Sequence, residues 1–137
     1  TDFPGLKIGL AGEASWPVEE ETSTRRWGLK GLAVFATPDM VHLVEKAASL
    51  AVEPFLPEGW ITVGTRVEVS HLAATPVGLT ATARAELVEV DRRRLVFRVE
   101  VSDEVEKVGE GVHERFIVHS AKVNEKMTEK AARKPSD

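Results

Sequence analysis

Hydrophobic residues recur every three or four positions in residues 34–52, as on one broad face of an α-helix. We expect Thr37 to be the N-cap of this helix and Pro38 to occupy its first position, with Pro54 ending it. The apolar arc extends as far as Leu50, so it is wider than a surface helix needs. The pattern therefore predicts a long helix that is covered on more than one side.

An alternation with a period of two predicts strands around this helix. In the segment after it, the odd positions Ile61, Val63 and Thr65 should share the apolar side of one strand with His71. A histidine is unexpected on that side, which makes it a candidate for chemistry. The predicted strands are residues 13–20, 61–73, 79–90, 95–101 and about 107–119.

Short turns join the last four predicted strands, and short connections imply antiparallel pairing. One buried helix on a curved antiparallel sheet of about five strands is an α+β architecture. We expect residues 1–123 to form a single domain and residues 124–137 to form a charged tail that frays or becomes a solvated helix. Such a sheet leaves edges exposed, so we also expect a dimer.

Composition narrows the function classes without choosing one. The 137 residues are 42% hydrophobic and 29% charged, as in an ordinary globular domain. A net charge of −4 argues against a nucleic-acid or acidic-membrane partner, and no apolar run is long enough to span a bilayer. The start has no signal-peptide pattern, and together with the lack of cysteine it favours a cytoplasmic protein.

Residue usage also bears on metal binding and on the source of the protein. The absence of cysteine excludes thiolate ligands, and the four histidines lack metal-ligand spacing, so we expect no metal and no cofactor. Glutamine is absent and there is one asparagine among many charged residues, which is a weak indication of a thermophilic source.

Three residues stand out as candidates for chemistry. Glu45 lies at the edge of the helical apolar face, where it either reaches water or, partly desolvated, becomes a base or nucleophile. Thr37 is either a plain cap or a hydroxyl at the positive helix end that acts near a carbonyl. His71 is either a core histidine or an acid–base group that meets Glu45 or Thr37, within one subunit or across a dimer.

Two further segments carry weaker signals. The segment GEGVHER, residues 109–115, places two glycines, His113 and Arg115 on one side of a strand, which suggests close approach of a backbone or a ligand. Arg115 is more typical of a surface or interface ion pair than of an anion site. The run DRRR, residues 91–94, is more typical of a solvated hairpin tip than of a phosphate site.

Residues 34–124 resemble the hot-dog thioesterases of the fluoroacetyl-CoA thioesterase type. The likeness rests on T-x-x-M-V-x-L-x-E-x-A in the helix, V-x-H-x-A-A-T-P-x-G-L-T after the next strand, and G-x-G-x-H-E-R. It implies a hot-dog fold, in which the sheet wraps a long helix, and a homodimer; whether dimers pair into a tetramer stays open. It also implies metal-independent hydrolysis of an acyl-CoA thioester.

The resemblance also assigns roles to particular residues. It implies that Thr37, Glu45 and His71 are the catalytic set, and that Gly64 and Arg115 lie near the reacting acyl group. The sequence departs from the family in RRWGLKGLA, residues 25–33, which has glycines where the fluoroacetyl enzyme is rich in phenylalanine. The acyl group therefore stays open, beyond being small or medium in size.

Two other functions remain possible on the same fold. A non-catalytic acyl-CoA-binding protein would hold the ligand without turning it over. A hydratase or dehydratase usually pairs an aspartate with a histidine in one short stretch, and no such pair occurs around His71. The presence of Thr37 and Glu45 at the family spacing favours hydrolysis over pure binding.

Overall fold

Five antiparallel strands form one sheet that curls around a long helix in the computed structural model, which describes residues 3–28 and 31–136. The strand order is β1-β3-β4-β5-β2, so β1 and β2 are the two edges. The predicted α+β architecture, with a five-stranded sheet around one long helix, is confirmed. The elements are β1 (Ala11–Pro17), α1 (Thr37–Val52), β2 (Trp60–His71), β3 (Thr80–Asp91), β4 (Arg94–Ser102), β5 (Lys107–His119) and α2 (Ser120–Ala132).

The core lies between α1 and the inner face of the sheet. Small side chains on both surfaces let the helix approach the strands closely, and larger ones from β4 fill the remaining space. Leu50 is 44% exposed, so the apolar arc of the helix is narrower than the sequence pattern suggested. The buried residues include Met40, Val44, Ala47 and Ala51 of α1, Ala81, Ala83 and Ala85 of β3, and Leu95, Phe97 and Val99 of β4.

A β-bulge at Thr65 interrupts the alternation along β2. Gly64 pairs with Arg115 and Arg66 pairs with Glu114, so one extra residue is inserted in β2 and the side-chain alternation reverses there. Positions 67, 69 and 71 face inward as predicted, but before the bulge the even positions face inward instead. The prediction that Ile61, Val63 and Thr65 share the inner side is therefore wrong.

The start of α1 also differs from the sequence prediction. Ala36 is the N-cap, in an extended conformation, and its carbonyl accepts from the backbone N–H groups of Asp39 and Met40. Thr37 is the first helical residue and Pro38 the second, so Thr37 does not cap the helix. Its hydroxyl is consequently free to bond to another element.

Close packing of α1 on β1 depends on Gly12. A Cβ at this position would lie 2.6 Å from the Ala51 nitrogen and closer still to the Ala47 carbonyl oxygen, and both are backbone atoms. We expect Gly12→Ala to lower the free energy of unfolding by about 2 kcal/mol, because the helix must shift to relieve the clash. Urea denaturation measures this change.

A matched control for this prediction is Gly5→Ala. There the new methyl group would lie 3.3 Å from Phe55 Cβ and from the Phe55 carbonyl oxygen, so a shift of a few tenths of an ångström relieves the contact. Equal stability losses in the two variants would contradict the claim that Gly12 sets the distance between α1 and β1.

The C-terminal region forms α2, none of whose residues is buried. A solvated helix was one of the two structures expected for the tail, residues 124–137. The helix starts at Ser120 and passes the expected boundary at residues 123–124 without a break, and Asp137 lies outside the described residues. The division into a domain and a tail stays a prediction. In the described segments, no helix is both long and apolar enough to cross a membrane.

Candidate active site

Thr37 and His71 form a hydrogen-bonded pair between the start of α1 and the end of β2. Thr37 Oγ1 lies 2.7 Å from His71 Nδ1, which is possible because the threonine hydroxyl is not used as a cap. Burial lowers the pKa of His71, and the polar backbone of Ala73 partly opposes that shift. The imidazole is therefore neutral at neutral pH, and its Nδ1 can accept a hydrogen bond from the Thr37 hydroxyl.

Glu45 lies just over two helical turns beyond Thr37, on the open side of α1. Its side chain is 40% exposed, and its carboxylate lies against Gly64 of β2. A Cβ at Gly64 would fall well inside van der Waals contact of Glu45 Oε1. Gly64 faces the carboxylate because the bulge at Thr65 reverses the alternation of β2.

Arg115 of β5 is buried beside this carboxylate, with its Nη1 atom 3.8 Å from Glu45 Oε1. Its Nε donates to Thr62 Oγ1 at 2.8 Å and its Nη2 to the Thr62 carbonyl at 2.9 Å. Burial lowers the pKa of Arg115 and the charge of Glu45 opposes that shift. Of the surface or interface ion pair expected for this arginine, the surface alternative is wrong, because only 7% of the residue is exposed.

His113 completes this cluster, although sequence reasoning gave it no role. It is fully buried, its Nδ1 lies 2.8 Å from the Arg66 carbonyl oxygen, and its Nε2 lies 3.2 Å from Arg115 Nη1. The alternation of β5 had placed it on the same side as Arg115, and that signal could have identified it. The glycines of the same segment do allow close approach, since a Cβ at Gly109 would lie 2.7 Å from Met40 Sδ.

An open cleft of about 520 Å³ lies over Glu45, between α1 and the first half of β2. This is within the usual volume range of small-molecule sites. Gly64 and Arg115 contribute to its walls together with Glu45. Polar and apolar side chains line the rest of the cleft, among them His42, Lys46, Ser49, Leu50 and Thr62.

The candidate residues thus form two separate groups in one chain. Thr37 and Glu45 are eight residues apart on α1, which is about 12 Å along a helix axis. Within residues 3–28 and 31–136, no hydrogen bond or ion pair links Glu45 to Thr37 or His71. The His71 imidazole was predicted to contact either Glu45 or Thr37, and the structure contains the contact with Thr37.

Metal binding finds no support in the part of the chain that the structure describes. No group of three or more histidine, aspartate or glutamate side chains is arranged there to hold a metal ion. The prediction of metal-independent chemistry stays a prediction.

Comparison with known proteins connects this geometry to a family. The family described as fluoroacetyl-CoA-specific thioesterase, FlK, matches residues 18–121. The fluoroacetyl-CoA thioesterase of Streptantibioticus cattleyicolor is 47% identical over 97 residues, which cover 71% of this chain and 70% of that protein. This chain belongs to the FlK thioesterase family. Both sites described above lie inside the matched residues.

Solved structures agree with the FlK assignment. The crystal structure of an FlK variant matches with a TM-score of 0.84 at 37% identity, covering 91% of this chain and 97% of that one. A Thermus thermophilus protein described as a thioesterase superfamily member has a TM-score of 0.84 at 28% identity, covering 93% and 95%. The predicted hot-dog fold and the prediction of a thioester-hydrolysing enzyme are confirmed by this family membership. Another FlK structure is described as a complex with acetyl-CoA.

Proposed function

We propose that this protein hydrolyses small or medium acyl-CoA thioesters in the cleft over Glu45, with Thr37, Glu45 and His71 as the catalytic set. Membership of the FlK family supports the acyl-CoA thioesterase reaction. The observation that carries the site is the carboxylate of Glu45, held in an open cleft against a glycine and a buried arginine. Gly64 and Arg115 then bind the acyl end of the substrate.

The chemistry follows from the nature of a thioester. A thiol has a pKa of about 8.5, so the thiolate leaves readily and attack at the carbonyl is the difficult step. Glu45 either attacks the carbonyl carbon or removes a proton from an attacking water. His71, neutral and bonded to Thr37, moves the proton that the departing sulfur takes up. Nearby backbone N–H groups stabilise the developing oxyanion, while the Thr37 hydroxyl orients the His71 ring.

Oxygen labelling separates the two roles of Glu45. In a single turnover in H₂¹⁸O, a general base leaves the label only in the released acid. An anhydride between Glu45 and the acyl group allows water to attack the glutamyl carbon, which places the label in the Glu45 side chain. Mass spectrometry of the peptide that contains Glu45 measures this, and label there would count against a pure general-base route.

A homodimer would bring the two groups of residues together. β2 is an edge strand of 12 residues, in which Gly64 is the fifth residue and His71 the last. If two β2 edges pair antiparallel about a twofold axis near Val67, His71 of one protomer lies opposite the partner's Gly64. The Thr37–His71 pair would then act with Glu45 of the other protomer, in an active site shared by two chains.

Mixing of inactive subunits tests this shared site. Glu45→Ala and His71→Ala dimers should each be inactive, whereas dimers re-formed from equal amounts of both should recover about a quarter of the wild-type activity, since half are mixed and each has one intact site. Thiol release after mixing, with size-exclusion chromatography to verify dimers, measures the recovery. No recovery from verified mixed dimers would place all three residues of each site in one chain.

The pH dependence of turnover tests the role of His71. Because its pKa is lowered from the ordinary value of 6.5, the neutral form persists at neutral pH and is lost only as the pH falls through that lowered pKa. We expect kcat/KM, which reports groups of the free enzyme, to fall with acid along a limb centred below pH 6.5. Initial rates at substrate concentrations well below KM, between pH 4.5 and pH 8, measure this limb. A limb that is unchanged in His71→Asn would assign it to another group.

The acyl group of the substrate is expected to be broader than fluoroacetyl. Gly28 and Gly31 lie in a segment where the FlK resemblance leads one to expect phenylalanines, and a Cβ at either position would meet no atom within 4 Å. Leu29 and Lys30 lie outside the described residues. The presence of glycines where the family has phenylalanines supports an acyl site without an aromatic cover.

An acyl-CoA panel from acetyl to decanoyl, including fluoroacetyl, tests the proposed function through release of free thiol. Turnover that disappears in Glu45→Ala and His71→Ala, with the fold intact, would support the proposal and identify the acyl length. Binding of acyl-CoA without turnover on any substrate would instead support a non-catalytic binding protein. A cytoplasmic location, a thermophilic source, the lack of a cofactor and pairing of dimers into tetramers stay predictions.

A further inference from the structure

The structure assigns His113 a positioning role: its neutral imidazole directs the Nη1 nitrogen of Arg115 towards Glu45. This inference rests on the proposed function only for its catalytic consequence. It adds a residue that the proposed catalytic set does not include. His113 does not line the cleft, so it acts through Arg115 and not on the substrate.

The hydrogen bonds of His113 define which ring nitrogen carries the proton. The Arg66 carbonyl oxygen can only accept a hydrogen bond, so Nδ1 is the protonated nitrogen and donates to it at 2.8 Å. Nε2 then has a lone pair, which accepts from Arg115 Nη1 at 3.2 Å. The neutral ring thus satisfies one acceptor on β2 and one donor on β5.

The nitrogen that His113 holds is the one that faces Glu45. Thr62 binds Nε and Nη2 of Arg115, which fixes the far side of the guanidinium. Nη1 remains, and it lies 3.2 Å from His113 Nε2 and 3.8 Å from Glu45 Oε1. Without an acceptor at Nε2, this nitrogen would lose the bond that keeps it beside the carboxylate.

His113 also contacts the bulge that turns Gly64 towards Glu45. Its Nδ1 donates to Arg66, the residue that follows the inserted Thr65, and its Cε1 lies 3.3 Å from the position a Cβ of Gly64 would occupy. The His113 ring therefore contacts both residues that lie beside the Glu45 carboxylate, Gly64 and Arg115. Its own position is fixed by burial and by Phe97, whose ring centroid lies 6.3 Å away.

The surroundings of His113 favour the neutral ring that this role needs. Burial lowers its pKa, and the positive charge of Arg115 acts in the same direction. The hydrogen bond to the Arg66 carbonyl and the carboxylates of Glu45 on α1 and Glu114 on β5 oppose that shift. A protonated ring would point a second N–H group at the guanidinium, so the contact with Arg115 would become repulsive.

Two amide substitutions separate the functions of the two ring nitrogens. An asparagine side chain reaches as far as Nδ1 and restores the donor to Arg66, whereas a glutamine reaches as far as Nε2 and restores the acceptor for Arg115. A phenylalanine keeps the ring volume and restores neither. Hence His113→Gln, His113→Asn and His113→Phe form a graded set with similar packing.

We expect His113→Phe and His113→Asn to lower kcat by about 10-fold to 100-fold with KM changed little, because a misplaced Nη1 no longer holds the carboxylate. His113→Gln should recover kcat to within about threefold of wild type. Thermal unfolding of each variant reports whether the fold is intact. Unchanged kcat in a folded His113→Phe protein, or equal kcat in the Asn and Gln variants, would overturn the inference and leave His113 a structural residue.

A second readout does not depend on turnover. In ¹⁵N spectra of the wild-type ring we expect the tautomer protonated at Nδ1, with the Arg115 Nη1 resonance shifted in His113→Phe and His113→Asn but kept in His113→Gln. An Arg115 spectrum unaffected by all three substitutions would overturn the inference even in an active enzyme. Absence of turnover in the wild type would overturn the proposed function instead, and these spectra would still decide the contact between His113 and Arg115.

Discussion

Replacement of Glu45 by glutamine is expected to lower kcat for acyl-CoA hydrolysis by about 10³-fold, since acid–base or nucleophilic catalysis by one side chain contributes 10²-fold to 10⁴-fold. Glutamine keeps the size and most of the polarity of the side chain but can neither attack the thioester nor accept a proton. The KM should change much less than kcat. Initial rates of thiol release over a range of substrate concentrations measure both constants.

The geometry around Glu45 explains why the loss should be this large. The carboxylate lies in an open cleft against Gly64, and the buried guanidinium of Arg115 is 3.8 Å away. No other carboxylate approaches Gly64 and Arg115 within the described part of the chain, so no neighbour can take over its role.

A matched control for this substitution is Glu125→Gln on the solvated helix α2. It changes the net charge of the protein equally but lies on a helix with no buried residue, and kcat should stay at the wild-type value. If Glu45→Gln retained more than about a tenth of the wild-type kcat, Glu45 would be neither nucleophile nor general base.

Substitution of Gly64 by alanine is expected to lower kcat by about 10²-fold while the protein still folds, because a displacement of about 1 Å at a reacting group has an effect of this size. The added methyl group would overlap Glu45 Oε1 and lie 3.3 Å from His113 Cε1, so the flexible carboxylate is the group that moves. Steady-state kinetics measure the loss, and thermal unfolding measures whether the fold remains intact.

Two comparisons make the Gly64 prediction specific. Gly5→Ala introduces the same methyl group far from the cleft, where it meets Phe55, and should leave kcat unchanged. Gly64→Ala combined with Glu45→Gln should be no slower than Glu45→Gln alone, since the methyl group acts by displacing that carboxylate. Additive losses in the double variant would show that Gly64 serves the substrate and not Glu45.

Several features could be predicted because they belong to one element at a time. The repeat in α1 and the alternation in β3 and β4 record which side chains avoid water, and the structure buries those positions. The period also singled out Glu45 at the edge of the helical face and His71 on the inner side of β2. The family motifs added the reaction, which no periodicity contains.

Other features depended on neighbours that are distant in the sequence. Thr37 follows a typical rule for helix caps, yet its hydroxyl bonds to His71, 34 residues away. Arg115 was expected at the surface because arginine usually lies there, but Thr62 and His113 satisfy its donors in the interior. Neither partner can be deduced from the segment around either residue.

The bulge at Thr65 had the widest effect on which predicted side chains face inward. One inserted residue reverses the alternation of β2, so it turns Gly64 and Thr62 inward and leaves Ile61 and Val63 39–46% exposed. An insertion between paired strands is a property of the pairing of β2 with β5, and a period within one strand contains no information on it.

The sequence by itself determined the elements, the inner faces of most of them, the family and the candidate residues for the chemistry. The tertiary structure alone decided how those residues are grouped: Thr37 with His71, and Glu45 with Gly64, Arg115 and His113. The physical reason is that solvation follows a local repeat along each element. Hydrogen bonds and steric contacts between elements depend instead on strand register and helix position, which only the folded chain defines.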